Sequence, residues 1–257
     1  MKELMANWPK LARKIKGRPL TLLLDFDGTL SRLRNHPDKA VLPRTTKALL
    51  EKLAARPGVV LGFISGRDLE VLKEKLGIKK AVYSGGHGCR IKGLGLDFSA
   101  KTAPKTQRAL RDFHTKLAAA TSGIPGVLIE NKAFTVGLHY WQVRPSRRPE
   151  LLVIFENLLK KYSGVYAKHG KFIVEVAPLS SWNKGDAVSY ILKKTTRKGQ
   201  NTFPIYIGDD VTDEDAFRAL RGKGLAIKVG GHKNSAAPYF LRDTVAVRAF
   251  LRFLLNP

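Results

Sequence analysis

The sequence predicts an α/β protein with a doubly wound parallel-sheet (Rossmann-like) core and an inserted α+β domain. Towards both ends of the chain, short apolar runs alternate with amphipathic helical segments, as in strands buried on both faces of a parallel sheet. From about residue 101 to residue 179 the pattern becomes helix-strand-strand, twice over, which is typical of an antiparallel sheet with helices on one face. We therefore expect a core of residues 1–100 and 180–257, and a second domain of residues 101–179.

The first core segment shows apolar runs separated by helix signals. Pro43 suits the first turn of a helix, and Asp68 and Gly77 suit the cap and the end of another. The strands expected here are 20–24, 59–64 and 81–83, and the expected helices are 43–54 and 68–76.

The rest of the chain continues both patterns. In the inserted segment we expect helices 104–120 and 148–161 and strands 127–130, 134–140, 165–167 and 172–176. In the second core segment we expect helices 187–194, 214–220 and 244–255 and strands 204–207 and 225–229.

Composition indicates a globular protein in a reducing compartment. Of 257 residues, 44% are hydrophobic and 26% charged, and the single cysteine, Cys89, excludes an internal disulfide. No apolar run reaches the roughly 18–20 residues that span a bilayer, and residues 1–16 lack the apolar centre of a signal peptide. We expect a cytoplasmic protein that has no membrane partner.

The net charge of +25, from 46 Lys+Arg and 21 Asp+Glu, attracts anions. The basic residues are spread along the chain, without an Arg-rich recognition helix or an aromatic single-strand-binding motif. A solvated basic surface is therefore favoured over nucleic-acid binding. A non-catalytic polyanion-binding protein is the alternative, but a pure binder has no need of clustered carboxylates that repel phosphate.

The strongest chemical motif is Asp25–Leu30, which directly follows the predicted strand 20–24. Ligand sites of open α/β sheets lie at the carboxyl ends of strands. Asp25 and Asp27 lie on a turn opened by Gly28, so one carboxylate can attack phosphorus while the other donates and then accepts a proton. The alternative is an ordinary turn, which Asp and Gly favour.

A second acidic motif, residues 208–215, follows the predicted strand 204–207. Its five carboxylates repel one another without a cation, and hard oxygen ligands suit Mg2+. The alternative is an acidic helix start, which the helix dipole favours. Both interpretations can hold together, with Asp209 for the metal and Asp213 partly for the helix.

Two further segments carry phosphate-binding groups. Ser65 and Gly66 follow strand 59–64, where a hydroxyl and main-chain N–H groups can bind phosphate oxygens. Lys184 stands at a predicted helix start, where a compact cation can neutralise a phosphoryl group. Taken singly, either segment is more often a helix cap or a surface position, and their order along the chain is what favours phosphate binding.

These four motifs, in this order, resemble the haloacid dehalogenase superfamily of phosphotransferases and, more narrowly, its trehalose-6-phosphate phosphatases. Segment 206–217 carries the most specific similarity, with further similarity at 86–88, 130–132, 139–140 and 175–176. The inserted domain resembles the cap of this branch. The resemblance implies Mg2+-dependent hydrolysis of trehalose 6-phosphate to trehalose and phosphate through an aspartyl-phosphate intermediate.

The resemblance also implies a role for each matching residue. Asp25 would be the nucleophile and Asp27 the general acid/base, with Ser65, Gly66 and Lys184 binding the phosphoryl group. Mg2+ would be held by the carboxylates of Asp25 and Asp209 and the main-chain carbonyl of Asp27, supported by Asp210 or Asp213. Substrate contacts would come from Arg67, His87, Glu130, Lys132, His139 and Glu175. From the residues alone, the solvated face of a half-buried sheet is the favoured interpretation of the last four.

Three positions depart from the family pattern on the expected sugar-binding side, namely Arg90, Trp141 and Ala177. Their charge and hydrogen-bonding capacity differ from those of the usual residues. They leave open a different sugar phosphate of the sucrose-phosphate or mannosyl-phosphoglycerate type, while the phosphoryl-transfer residues are unaffected. The oligomeric state is left open as well.

Overall fold

A computed structural model describes residues 1–33, 37–101, 104–131, 134–170, 172–179, 182–196, 199–231 and 234–255. The chain forms two compact units, one of residues 1–100 and 182–257 and the other of residues 101–181. The strands are β1 (Lys2–Glu3), β2 (Leu20–Leu24), β3 (Val59–Ile64), β4 (Val82–Gly85), β5 (Arg90–Gly93), β6 (Leu96–Ser99), β7 (Leu128–Asn131), β8 (Val136–His139), β9 (Val165–Gly170), β10 (Ile173–Pro178), β11 (Phe203–Gly208), β12 (Leu225–Val229) and β13 (Tyr239–Leu241). The α-helices are α1 (Leu4–Ile15), α2 (Arg44–Ala55), α3 (Leu69–Leu76), α4 (Pro104–Thr121), α5 (Arg148–Leu159), α6 (Lys184–Thr195), α7 (Asp213–Ala219) and α8 (Thr244–Leu255).

The first unit is built on one sheet with the strand order β1-β13-β12-β11-β2-β3-β4-β5-β6. Neighbouring strands from β1 to β4 pair in parallel. Every residue of β2, β11 and β12 is buried, as the continuous apolar runs predict. The predicted α/β class, with a doubly wound parallel sheet, is confirmed.

Helices cover both faces of this sheet. A large apolar cluster packs α1, α2, α3 and α8 against one face. A second cluster joins α6 and α7 to the opposite face, through side chains such as Val188 and Phe217. Burial on both faces explains why apolar residues do not alternate with polar ones along the central strands.

The sheet edges differ from the sequence prediction. Strands β4, β5 and β6 pair antiparallel, so a hairpin closes one edge of the otherwise parallel sheet. The opposite edge adds β1 and β13, and α1 precedes β2 although Pro9 lies inside this helix. These short or interrupted elements give weak periodic patterns, so the sequence did not predict them.

The second unit is an antiparallel sheet with the strand order β7-β8-β10-β9. Helices α4 and α5 pack on it through Leu110, Phe113, Leu151 and Phe155, which belong to one buried cluster. The antiparallel sheet and its helical cover agree with the predicted α+β pattern.

The strand order places the chemical motifs of the first unit together. Strand β2 lies between β11 and β3, and all three run parallel. Asp25, Asp209 and Ser65 each follow one of these strands, so they meet at the carboxyl ends of the central strands. Open α/β sheets bind their ligands at the carboxyl ends of their strands.

Candidate active site

Asp25 lies buried at the carboxyl end of β2, with 4% of its surface exposed. Its main-chain N–H donates to the carbonyl of Ile207, which continues the pairing of β2 with β11. Its Oδ1 accepts a hydrogen bond of 2.9 Å from Lys184 Nζ. Lys184 is the first residue of α6, whose start is fixed by a capping box between Asn183 and Asp186. The cap therefore sets the position of the amine that contacts Asp25.

Asp213, at the start of α7, organises the adjoining acidic segment. Its Oδ1 accepts bonds of 2.7 Å from Lys184 Nζ and 2.6 Å from the Tyr206 hydroxyl. Its Oδ2 accepts bonds of 2.9 Å from the main-chain N–H groups of Asp209 and Asp210. Two donors on each oxygen occupy most of its capacity as an acceptor. Asp213 thus fixes both Lys184 and the turn that carries Asp209.

The acidic cluster fits a divalent cation. One oxygen from each of Asp25, Asp209 and Asp213 lies within 4.8 Å of the others. Asp209 Oδ1 is buried and accepts no hydrogen bond from any residue that the structure describes. A buried carboxylate oxygen of this kind is costly unless a positive partner binds it. Because Asp213 is already engaged, Asp25 and Asp209 are the carboxylates best placed to bind the ion.

Burial and mutual repulsion shift the pKa values in this cluster. Burial raises the pKa of Asp25 well above its ordinary range; the charge of Lys184 opposes the shift, and Asp213 adds to it. Burial, with the charge of Asp213, raises the pKa of Asp209 to about 7. Burial lowers the pKa of Lys184, but the charges of Asp213 and Asp25 outweigh it, so the net shift is upward. The lysine therefore stays cationic among carboxylates that a further cation would stabilise in their charged form.

Gly28 allows the turn after β2 to approach the acidic segment. Its φ of +78° is a conformation that other residues rarely adopt. A Cβ at this position would lie 2.0 Å from Asp209 Oδ2. The glycine is therefore required both by the backbone conformation and by the closeness of the carboxylate.

Asp27 is held by Arg67, for which the family resemblance implies a role in substrate binding. Arg67 Nε donates to Asp27 Oδ2 at 2.6 Å, and Nη2 donates to Oδ1 at 2.7 Å. Such bidentate pairs fix a carboxylate in one orientation. In this structure Arg67 contacts the predicted acid/base directly.

Ser65 and Gly66 form a compact turn after β3. Ser65 is 1% exposed, and its Oγ accepts a bond of 3.2 Å from the Arg67 N–H. His87 donates its main-chain N–H to the carbonyl of Ser65 at 2.9 Å. A Cβ on Gly66 would lie 2.5 Å from His87 Cε1, so the ring packs directly over the glycine. Three residues predicted for phosphate or substrate binding therefore lie together.

Two residues of this site were missed by the sequence prediction. The Tyr206 hydroxyl donates to Asp213, as described above, from inside β11. Lys228, inside β12, is 3% exposed and donates to the main-chain carbonyl of Asp209 at 3.1 Å and to Glu214 at 3.5 Å. A lysine within a fully buried strand is the signal that could have identified Lys228.

A polar cluster lies on the sheet of the second unit. Glu130 and Glu175 both pair in register with Gly137, so their side chains share a face. His139 Nε2 lies 3.0 Å from Glu130 Oε2, and the Thr135 hydroxyl donates to Glu175 Oε1 at 2.9 Å. His139 and Glu175 are 5% and 6% exposed. The interpretation of His139 as a surface histidine is therefore wrong.

The other predicted site residues have less defined surroundings. Lys132 lies outside the described residues. The Asp210 side chain is exposed and accepts a long bond of 3.4 Å from Thr212. Trp141 packs edge-on against His139, and Ala177 is buried within β10.

The described part of the chain contains no helix with the length and apolar character needed to cross a bilayer.

Comparison with known proteins gives a consistent result. The model of the family described as trehalose-phosphatase matches residues 23–245. The chain is 31% identical to probable trehalose-phosphate phosphatase I of Arabidopsis thaliana, over 98% of this chain and 72% of the relative. It is 30% identical to trehalose 6-phosphate phosphatase RA3 of Zea mays, over 98% and 74%. The C-terminal domain of C. albicans trehalose-6-phosphate phosphatase has a similar structure, with a TM-score of 0.81, 26% identity and 97% of each chain covered.

The family match covers most of the chain, including both carboxylate motifs, the serine turn and the lysine at the start of α6. The chain belongs to the trehalose-phosphatase family, and is thus a phosphoric monoester hydrolase.

Proposed function

We propose that this protein hydrolyses trehalose 6-phosphate to trehalose and phosphate through a phosphorylated Asp25. Family membership supports the substrate, since the relatives in Arabidopsis thaliana and Zea mays carry this activity in their names. The contact between buried Asp25 and Lys184, beside Asp209, carries the chemical part of the proposal. Two carboxylates and a cation meet at one point, which supports a nucleophile, a metal-binding carboxylate and a phosphoryl-binding amine as their roles.

In the first step a carboxylate oxygen of Asp25 attacks phosphorus. The new O–P bond forms as the bond from phosphorus to the sugar oxygen breaks, and protonated Asp27 gives its proton to that oxygen. The products are the free sugar, an aspartyl phosphate at Asp25 and a carboxylate at Asp27.

In the second step a water molecule attacks phosphorus. Asp27 takes one proton from the water, the acyl phosphate bond breaks, and Asp25 returns as a carboxylate beside free phosphate. The bidentate contact with Arg67 suits the carboxylate form of Asp27. This pair has to loosen when Asp27 carries a proton, so Arg67 positions the acid/base for the second step.

The transferred phosphoryl group needs positive charge and hydrogen-bond donors. Lys184 supplies a buried cation, and Ser65 and the N–H of Gly66 supply donors at the adjoining strand end. Mg2+ held by Asp25, Asp209 and the main-chain carbonyl of Asp27 would neutralise negative charge on the phosphoryl oxygens. Asp213 supports this arrangement by fixing Lys184 and the N–H of Asp209.

The polar cluster of the second unit is our proposed sugar-binding surface. Glu130, His139 and Glu175 offer acceptors and a donor for sugar hydroxyls on one sheet face, and Lys132 would add a cation. Trp141 beside His139 offers an aromatic surface for a sugar ring. Because Trp141, Arg90 and Ala177 depart from the family pattern, a sugar phosphate of the sucrose-phosphate or mannosyl-phosphoglycerate type is the second candidate substrate.

A substrate panel tests the proposal. Phosphate release is measured with Mg2+ from trehalose 6-phosphate, sucrose 6-phosphate, mannosyl-3-phosphoglycerate and glucose 6-phosphate. We expect the highest kcat/KM for trehalose 6-phosphate, and loss of activity with a chelator or in Asp25→Asn. A preference for another sugar phosphate would retain the chemistry and replace the substrate. No release from any of the four would remove the proposal.

A further inference from the structure

A cavity lies in the first unit, outside the proposed catalytic residues. Its volume is about 310 Å³, at the lower end of the range for small-molecule sites. The polar residues that line it are Ser31, Arg32, Lys39, Thr46, Thr244 and Arg248. A phosphorylated sugar or a free phosphate fits this volume, whereas a dinucleotide does not.

Three cations surround this cavity. Arg32 and Lys39 are exposed and Arg248 is half-buried. Within the described ranges, none of the three forms an ion pair, and no carboxylate lines the cavity. The lining therefore carries three positive charges that no acidic side chain of the cavity offsets.

The start of α2 adds neutral donors to the cavity. No side chain of the described residues caps this helix at Pro43, and its first turn contains no acidic residue. Thr46 in this first turn lines the cavity and is 3% exposed, yet its hydroxyl makes no hydrogen bond with any described residue. Free N–H groups, a positive helix end and an unpaired hydroxyl together bind oxyanions.

The first N–H groups of the neighbouring helix α8 are already hydrogen-bonded and do not bind an anion in the cavity. Asp243 Oδ1 already accepts bonds of 2.8 Å from the N–H groups of Val245 and Ala246. What α8 contributes is Arg248 and the Thr244 hydroxyl.

From this cavity we infer a second anion-binding site, specific for a phosphoryl group on a small molecule or as free phosphate. No lining residue is a candidate nucleophile of the aspartate type, so the site binds the group without hydrolysing it. The wall at Ser31 is connected to the catalytic turn, because its carbonyl accepts a 2.7 Å bond from the N–H of Gly28. The cavity thus adjoins the catalytic loop and does not include it.

Calorimetric titration tests this site. All proteins carry Asp25→Asn to prevent turnover and are titrated with inorganic phosphate or glucose 6-phosphate in chelator. We expect Arg32→Gln/Arg248→Gln to weaken one binding event about tenfold or more, because two charge-assisted contacts are lost. Tighter binding of glucose 6-phosphate than of phosphate would identify a phosphorylated metabolite as the ligand, and the reverse would identify free phosphate.

The matched control is Arg13→Gln/Arg221→Gln, which removes the same charge from two exposed positions away from the cavity. Lys39→Gln, at an exposed side chain, provides a second variant that does not depend on packing around Arg248. Binding that is equally strong in the cavity variants and the control would overturn the inference. The same variants are also made with Asp25 restored and assayed for hydrolysis of trehalose 6-phosphate. Hydrolysis by these proteins would show that the proposed function holds even if the second anion site does not.

Discussion

Asp213 shows how one buried side chain organises several parts of the candidate site. It bonds to Lys184, to the Tyr206 hydroxyl and to the N–H groups of Asp209 and Asp210. Both charges of the Lys184–Asp213 pair are almost fully buried. Replacing Asp213 by Asn removes one of the two carboxylates that neutralise Lys184. It also leaves main-chain N–H donors without an acceptor, because the amide group has one oxygen in place of two, and these losses are far more costly than loss of an exposed pair.

We therefore expect Asp213→Asn to lower the free energy of unfolding by about 3–5 kcal/mol. The matched control is Asp215→Asn in the same helix, because Asp215 pairs with Arg218 at the surface. Loss of that exposed pair should cost about 1 kcal/mol or less. Urea denaturation of both variants measures the difference, and equal destabilisation would contradict a special role for Asp213.

At the scale of an element, the turn after β2 packs tightly against the acidic segment that follows β11. The N–H of Gly28 bonds to the carbonyl of Ser31, which closes the turn beside the acidic segment that follows β11. Two elements far apart in sequence thus meet where only a hydrogen fits on the Cα of residue 28.

We expect Gly28→Ala to reduce kcat/KM by about 100-fold or more, because the new methyl group displaces Asp209 or the turn. Gly222→Ala is the control, since Gly222 also has positive φ, +73°, but a Cβ there meets nothing within 4 Å. The control should lose about 1 kcal/mol of stability and retain activity. Steady-state kinetics measure the activity of both variants. Equal activity of the two would contradict this explanation.

At the scale of elements, the sequence predicted those helices and strands that have a long apolar run or a clear cap. The apolar runs of β2 and β3 and the capped start of α3 at Asp68 are plain in the sequence. The hairpin of β5 and β6 has only four residues per strand, too few for a reliable alternation. Its antiparallel addition to the sheet depends on tertiary packing.

At the scale of the whole molecule, buried like charges make the fold sensitive to pH when no cation is bound. Asp209 has a pKa of about 7 in the folded protein, against an ordinary value of 3.8. Between these values the folded state binds more protons than the unfolded state, so stability falls as pH rises. The cost of ionising Asp209 is fully present above pH 7 and absent below about pH 4.

We expect the chelator-treated protein to lose stability between pH 5 and pH 8, with an Asp209 contribution on the order of 2–4 kcal/mol. Asp209→Asn should lose less, because it cannot ionise at that position. Mg2+ should stabilise the wild type at pH 8 more than the variant, since it binds the native carboxylates. Chemical denaturation at both pH values measures this, and an identical response of the two proteins to Mg2+ would argue against Asp209 as a ligand.

The global arrangement also explains which site residues could be predicted. Asp25, Ser65 and Asp209 follow apolar strands, and parallel strands end at a common edge. The contacts of Arg67 with Asp27 and of Lys228 with Asp209 depend on side-chain directions across neighbouring strands, which sequence spacing does not specify. The sequence thus located the site at the carboxyl ends of the strands, but it did not predict which side chains pair with one another there.

Direct detection of phosphorylated Asp25 is the most direct test of the proposed chemistry. Asp27→Asn is mixed with p-nitrophenyl phosphate and Mg2+, quenched in acid and examined by peptide mass spectrometry. This leaving group departs without a proton, so the first step proceeds while the second lacks its base. We expect one phosphoryl group per chain on Asp25, accompanied by one equivalent of nitrophenolate, and neither in Asp25→Asn/Asp27→Asn. Nitrophenolate release without a phosphorylated peptide, or a phosphoryl group on another residue, would contradict Asp25 as the nucleophile.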